Sequence, residues 1–117
     1  MGSVATIIVA TKNSARTLER CLLSIRNQTV RGFELVVADG GSTDCTMDIV
    51  SSFSDIVTAS FSAHDNGVYD AWNKALRVSS GDWLLFLGAD DVLAGYDVLK
   101  SAFKALALAE DACIVSF

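Results

Sequence analysis

Residues Trp83 to Leu87 form an unbroken apolar run that stops, after Gly88 and Ala89, on two adjacent carboxylates, Asp90 and Asp91. A run this short and uniformly apolar fits a strand buried on both faces, as in a parallel sheet covered by helices. The acids then stand at that strand's carboxyl end. Ligands of open α/β sheets bind there, and two neighbouring carboxylates repel unless a cation or a proton relieves them. The pair therefore reads as a metal site that meets an anionic ligand. Taken alone it reads equally well as the first turn of a helix, because acids favour first turns and Asp is a good N-cap.

The rest of the chain repeats this alternation of element types. Further strands are expected at Val4–Ala10, Phe33–Asp39, Ile56–Ser62 and Ala112–Phe117. Between the first two, Leu18, Cys21, Leu22 and Ile25 recur at i, i+3, i+4 and i+7, the spacing of a helix with one buried face, with Asn13 or Ser14 as its cap. A second helix is expected from Thr43 or Asp44 to Phe53, and a third from Gly67 to Val78. In the third, Val68, Ala71, Trp72, Ala75 and Leu76 share a face, which makes Trp72 a core residue. A fourth, near Tyr96 to Ala109, buries Val98, Leu99, Ala102, Phe103 and Leu106. The order βαβαβαβαβ implies a Rossmann-like three-layer α/β/α fold with a mostly parallel sheet.

Composition narrows the function classes. The chain has 117 residues and a net charge of −5, and its nine basic residues are scattered, so binding to nucleic-acid phosphates is not expected. Cys21, Cys45 and Cys113 form no C-x-x-C pair, which argues against a disulfide framework or a zinc knuckle and suits a reducing cytosol. No stretch approaches the roughly 20 apolar residues of a membrane span, and Val4–Ala10 has no charged region before it as a signal peptide would. Asn27-Gln28-Thr29 matches a glycosylation acceptor and Met1-Gly2-Ser3 opens a myristoylation pattern, and both are read as chance. The mean hydropathy of +0.41 is high for a chain this small and suggests surface meant to be covered.

In such a sheet the segments that follow the strands gather along one edge. They are Thr11-Lys12-Asn13, Asp39-Gly40-Gly41-Ser42-Thr43-Asp44, His64-Asp65-Asn66-Gly67 and Gly88-Ala89-Asp90-Asp91. A carboxylate after each of three strands exceeds what helix capping requires. Asp39, expected to face solvent at its strand end, suits a hydrogen bond from a base N–H or a ribose hydroxyl. The Asp39–Asp44 stretch also reads as a polar turn that caps the next helix. Neither a dinucleotide glycine fingerprint nor a phosphate loop follows the first strand. Bound phosphates would then be neutralised by a hard divalent cation on Asp90 or Asp91, because Mg²⁺ and Mn²⁺ take one or two carboxylates plus phosphate oxygens.

Together and in this order, the four segments, the third extended through Asp65-Asn66-Gly67-Val68-Tyr69-Asp70-Ala71-Trp72-Asn73-Lys74, resemble the family 2 glycosyltransferases of GT-A fold. The resemblance spans nearly the whole chain and implies the first half of that fold, residues 1–117 being its nucleotide-sugar-binding portion. It implies a UDP- or GDP-linked sugar donor, a saccharide or lipid-linked acceptor, and inverting, metal-assisted transfer with Mg²⁺ or Mn²⁺. Thr11, Asp39, Asp65 and Asp90 correspond to donor-binding positions, and Asp90 and Asp91 to the metal-binding D-x-D motif. Two departures stand out: Gly88 replaces the motif's first acid, and Ala63-His64 stands where many relatives carry Glu.

The general base of the family follows the fifth strand and is expected outside this chain, so the catalytic residue stays unassigned. The chain is expected to be an incomplete enzyme, inactive by itself, in the cytoplasm or at the inner face of its membrane. Its apolar C-terminal portion is expected to favour a homodimer. The rival classes are a non-enzymatic Mg²⁺-binding signalling module and a pseudoenzyme. The first would place its acid pair after the first strand, where this chain has Thr11-Lys12-Asn13.

Overall fold

The computed structural model describes residues 5–64 and 66–108. Its elements are β1 (Ala5–Thr11), α1 (Leu18–Arg26), β2 (Phe33–Asp39), α2 (Thr46–Ser52), β3 (Ala59–Ser62), α3 (Val68–Leu76), β4 (Trp83–Gly88) and α4 (Val98–Leu108). All four strands are parallel, in the order β3-β2-β1-β4. The expected strand Ala112–Phe117 lies outside the described residues.

Alternation along the central strands sorts the core into two layers. Ile7, Val9, Leu35 and Val37 point to one face, against Leu18, Cys21, Leu22 and Ile25 of α1, Val50 of α2, Phe53 beyond it and Leu99 of α4. Ile8, Val36 and Ala38 point to the other face, against Ala71 and Ala75 of α3. The α1 stripe read from the sequence is wholly buried. Each of its large side chains contributes roughly 1.5–3 kcal/mol by leaving water.

Several boundaries and faces differ from the sequence reading. Ile56 and Val57 belong to the turn after α2, where both N–H groups donate to the Phe53 carbonyl, and β3 starts only at Ala59. Their apolarity reflects packing on the core from a turn, not strand pairing. Neither Asn13 nor Ser14 caps α1, which begins after Thr17 with no side-chain cap, and α2 likewise begins after Cys45. Most consequentially, β4 is not buried on both faces. Leu85 and Leu87 pack into the first layer, whereas Leu84 and Phe86 remain 42% and 38% exposed. Among the described residues β4 pairs only with β1, and α3 lies over β1 and β2, with Trp72 meeting Phe86 at 4.6 Å between ring centroids. Trp72 is accordingly half-buried, and Leu76, expected on the same buried face, is exposed.

The opposite, N-terminal edge of the sheet is closed by a polar pin. Glu34 accepts hydrogen bonds from the Thr6 hydroxyl at 2.9 Å and from the Ser80 N–H and hydroxyl at 2.8 and 2.9 Å. Gly81 donates its N–H to Thr6 Oγ1 at 2.9 Å. A Cβ at position 81 would lie 2.4 Å from the Thr6 nitrogen, so only glycine lets the chain approach β1 this closely.

Candidate functional site

Because the strands are parallel and in register, their carboxyl ends lie side by side. Thr11 pairs with Asp39, Asp39 with Ser62, and Ala10 with Gly88. The chain adds strands on one side of β1 up to β3 and then crosses to the other side for β4. The strand order therefore reverses between β1 and β4, where open α/β sheets form their ligand crevice. The segment after Thr11 and the one carrying Asp90 and Asp91 flank that point.

Asp39 is 1% exposed, which corrects the expectation of a solvent-facing carboxylate. Its Oδ1 accepts from the hydroxyls of Thr11 at 2.6 Å and Ser42 at 2.5 Å. Its Oδ2 accepts from the N–H groups of Gly41 at 3.1 Å and Ser42 at 2.8 Å and from the Ser62 hydroxyl at 2.7 Å. Burial pushes the carboxyl up, but the hydrogen bonds from Ser42, Thr11 and Ser62 outweigh it and hold it below its ordinary 3.8. Thr11 is buried with it. Ser42 stands in the polar turn directly after Asp39, and the one signal for Ser62 is its place at the end of β3, in register with Asp39.

A second set of bonds ties the loops after β1 and β2 together. Asn13, at φ 47°, occupies the left-handed region that Asn tolerates better than most residues. Its Oδ1 accepts from the Thr43 N–H at 2.8 Å, while its own N–H donates to Ser42 Oγ at 2.8 Å. Asp44 accepts from the Thr46 N–H at 3.0 Å, from the Thr46 hydroxyl, and from the Ala15 N–H at 3.3 Å. Asn13 and Asp44, expected as helix caps, thus brace two loops against each other.

Asp90 and Asp91 are both exposed at the end of β4. Asp91 Oδ2 accepts from the Gly88 N–H at 2.8 Å, and the Asp91 N–H donates to the Gly88 carbonyl at 3.0 Å. The pair folds back over Gly88. A Cβ there would stand 2.9 Å from Asp90 Oδ1 and 3.3 Å from Asp91 Oδ2, so a larger residue would push the two carboxylates aside. Beneath the pair, Cys21 Sγ lies 3.7 Å from the Gly88 carbonyl. Burial, and then the charges of Asp91 and Asp90, push this thiol up to about 12. Cys21 is therefore a neutral thiol at neutral pH, lying in the field of two carboxylates.

Among the described residues no three His, Cys, Asp or Glu side chains gather to hold a metal. Two adjacent oxygen-donor side chains, one of them with no hydrogen-bond partner among those residues, fit a hard cation that completes its shell with ligand phosphates and water. Asp65 lies outside the described residues. Its neighbours are ordered by α3: Asp70 accepts from the Asn66 N–H at 3.0 Å, and Lys74 Nζ donates to the His64 carbonyl at 2.9 Å and lies 3.4 Å from Asp70. His64 itself is exposed.

The model of the family described as glycosyl transferase family 2 matches residues 6–117. The chain belongs to glycosyl transferase family 2. Family 2 relatives include a PGL/p-HBAD biosynthesis glycosyltransferase of Mycobacterium bovis, 49% identical over 96 residues that make up 80% of this chain and 38% of the relative. A validoxylamine A glucosyltransferase of Streptomyces hygroscopicus is 35% identical, over 85% of this chain and 24% of its own length. Among solved structures, S. aureus TarS in complex with UDP-GlcNAc superposes with a TM-score of 0.85 at 28% identity, over 94% of this chain and 32% of TarS. The mannosyltransferase PcManGT of Pyrobaculum calidifontis, in complex with GDP-Man and Mn²⁺, superposes with a TM-score of 0.83 at 31% identity, over 92% of this chain and 33% of that one. The chain thus spans about two fifths or less of the length of these relatives. Its fold is the parallel α/β portion of the GT-A glycosyltransferases. No helix of the described residues is long and apolar enough to cross a membrane.

Proposed function

We propose that this chain is the donor-binding portion of a glycosyltransferase that moves a sugar, with inversion, from a UDP- or GDP-linked donor to a polysaccharide or lipid-linked acceptor. The observation that carries this reading is the exposed Asp90–Asp91 pair at the point where strand order reverses, beside loops braced against each other by hydrogen bonds. Family membership and the nucleotide-sugar complexes of TarS and PcManGT support it.

Thr11, Asp39, Asp65 and Asp90 serve the donor, each in its own way. With all five of its hydrogen bonds made internally, Asp39 acts by shaping the Gly40–Thr43 turn against which the nucleoside lies, and Thr11 acts through Asp39. Asp65 faces the nucleotide-sugar from the loop before α3. Asp90 and Asp91 hold Mg²⁺ or Mn²⁺, which when bound neutralises charge on the departing diphosphate. Of the two half-reactions, these residues serve donor binding; they assign neither the general base nor the acceptor site. The intact enzyme works in the cytoplasm or at the inner face of its membrane.

Thermal melting with a panel of UDP- and GDP-sugars in Mn²⁺ tests the reading. One base should raise the melting temperature, since a ligand at 100 times its Kd stabilises by about 2.7 kcal/mol. The shift should disappear in Asp90→Asn/Asp91→Asn. A melting temperature that no nucleotide-sugar moves would contradict the proposal.

A further inference from the structure

The nine residues from Ala89 to Asp97, which join β4 to α4, carry the acid pair and then run alongside α1. They meet a polar stripe on that helix and just beyond it. Cys21 Sγ lies at the Gly88 carbonyl, the Ser24 hydroxyl accepts from the Leu93 N–H at 3.1 Å, and Gln28 Nε2 donates to the Gly95 carbonyl at 2.6 Å. Cys21 and Ser24 lie on one face of α1, spaced i, i+3, and Gln28 follows just past its end, so the three polar groups meet the end of β4 and two successive points of the segment.

Gln28 is the most deeply committed of the three. It is 3% exposed, and both of its amide hydrogens are used: Nε2 also donates to the Ser24 carbonyl at 3.0 Å, and Oε1 accepts from the Leu99 N–H at 2.9 Å. That last bond satisfies an amide in the first turn of α4, which has no partner within its own helix. Thr29 adds two more bonds, from its N–H to the Tyr96 carbonyl at 2.8 Å and from its hydroxyl to Asp97 Oδ1 at 2.5 Å. The path of the segment beyond Asp91 is thus set by α1 and the residues just after it, and Leu93, held by Ser24, is only two residues from Asp91.

We infer that Ser24 and Gln28 are positioning residues for the Asp90–Asp91 pair: they fix the course of the segment that carries the acids, and so the geometry in which those acids meet a cation and a diphosphate. The role in cation binding rests on the function proposed above. The positional role stands apart from it. An apolar residue at 28 would fill the space equally well but would leave the Leu99 N–H and the Gly95 carbonyl without partners, and the segment would lose its register on the helix.

The test compares Ser24→Ala, Ser24→Thr and Gln28→Met in the protein, first without ligand. Amide hydrogen exchange should speed up at least tenfold at Gly88, Asp91 and Leu93 in Ser24→Ala while amides of β1 and β2 keep their protection. Ser24→Thr, which keeps the hydroxyl, should restore the slow rates, and Gln28→Met should speed exchange at Leu99 and Leu93. Unchanged exchange at Gly88, Asp91 and Leu93 in folded Ser24→Ala would overturn the inference whatever the protein binds, and so would uniform acceleration over the whole sheet. Titration with UDP and GDP then reads the consequence. The Mn²⁺ concentration that half-saturates nucleotide binding should rise about tenfold in Ser24→Ala and Gln28→Met, with affinity in chelator unchanged. A wild-type protein that binds no nucleotide would fail the donor reading and leave the exchange comparison to decide the positional role.

Discussion

Five donors converge on the Asp39 carboxylate, two from backbone N–H groups and three from hydroxyls. Removing it strands those donors in a buried place, and hydrogen bonds to a charged acceptor contribute about 1.5–3 kcal/mol each. Asp39→Ala is therefore expected to cost about 3 kcal/mol or more in urea denaturation, not to leave the fold intact as a solvent-facing acid would. An unchanged midpoint would return Asp39 to the surface. Glu34 behaves alike at the other edge: burial raises its pKa, but the Ser80 N–H and the Thr6 and Ser80 hydroxyls outweigh that and hold it below 4.5. Both acids are depressed in the fold, so the unfolded chain takes up protons first as pH falls. Their stabilisation is complete above the ordinary values and is lost as pH drops through the lower folded ones. Stability should therefore decline below about pH 4, with a shallower decline in Asp39→Asn. An acid limb of the same slope in that variant would remove Asp39 from the linkage.

The elements divide into those whose pattern is local and those whose pattern depends on neighbours. The apolar stripe of α1 and the bounds of β2 were legible because the spacing itself dictates the buried face. The exposure of Leu84 and Phe86 was not, because periodicity cannot say whether a strand has a helix on both sides. Ile56 and Val57 misled for a related reason, since a turn pressed on the core is as apolar as a strand. Trp72 carries the same lesson in energy. Trp72→Ala should cost about 2 kcal/mol, below the 3–5 kcal/mol of a fully buried aromatic, because only part of its surface is covered. A loss of 4 kcal/mol or more by chemical denaturation would mean that Trp72 is fully enclosed. Gly81→Ala should cost about 1–3 kcal/mol or more, as overpacking does, because the new Cβ meets backbone of Ala5 and Thr6 that cannot rotate away. A neutral substitution would show that the entry to β4 gives way easily.

For the whole molecule, register does what no single residue reveals. Parallel pairing brings Thr11, Asp39 and Ser62 into one row, with Gly88 one position back beside Ala10, and the strand order puts the acid pair where the sheet reverses. The sequence disclosed which segments follow strands, and hence the candidate site. It did not disclose that Asp39 turns inward, that Asn13 bridges two loops, or that Gln28 holds the segment behind the acids. Each of those depends on partners 23 to 71 residues away. The open face of Leu84 and Phe86, on a strand that among the described residues pairs only with β1, should make the chain associate as concentration rises. Leu84→Lys should shift light scattering toward monomer; no change would place the contact elsewhere. The central claim is that the exposed acid pair joins a cation to a nucleoside diphosphate. It is tested most directly by calorimetric titration of the protein with UDP and GDP, in Mn²⁺ and in chelator. The account predicts saturable binding of one of them in Mn²⁺ that weakens at least tenfold in chelator and in Asp90→Asn/Asp91→Asn, whereas equal affinity under all three conditions would contradict it.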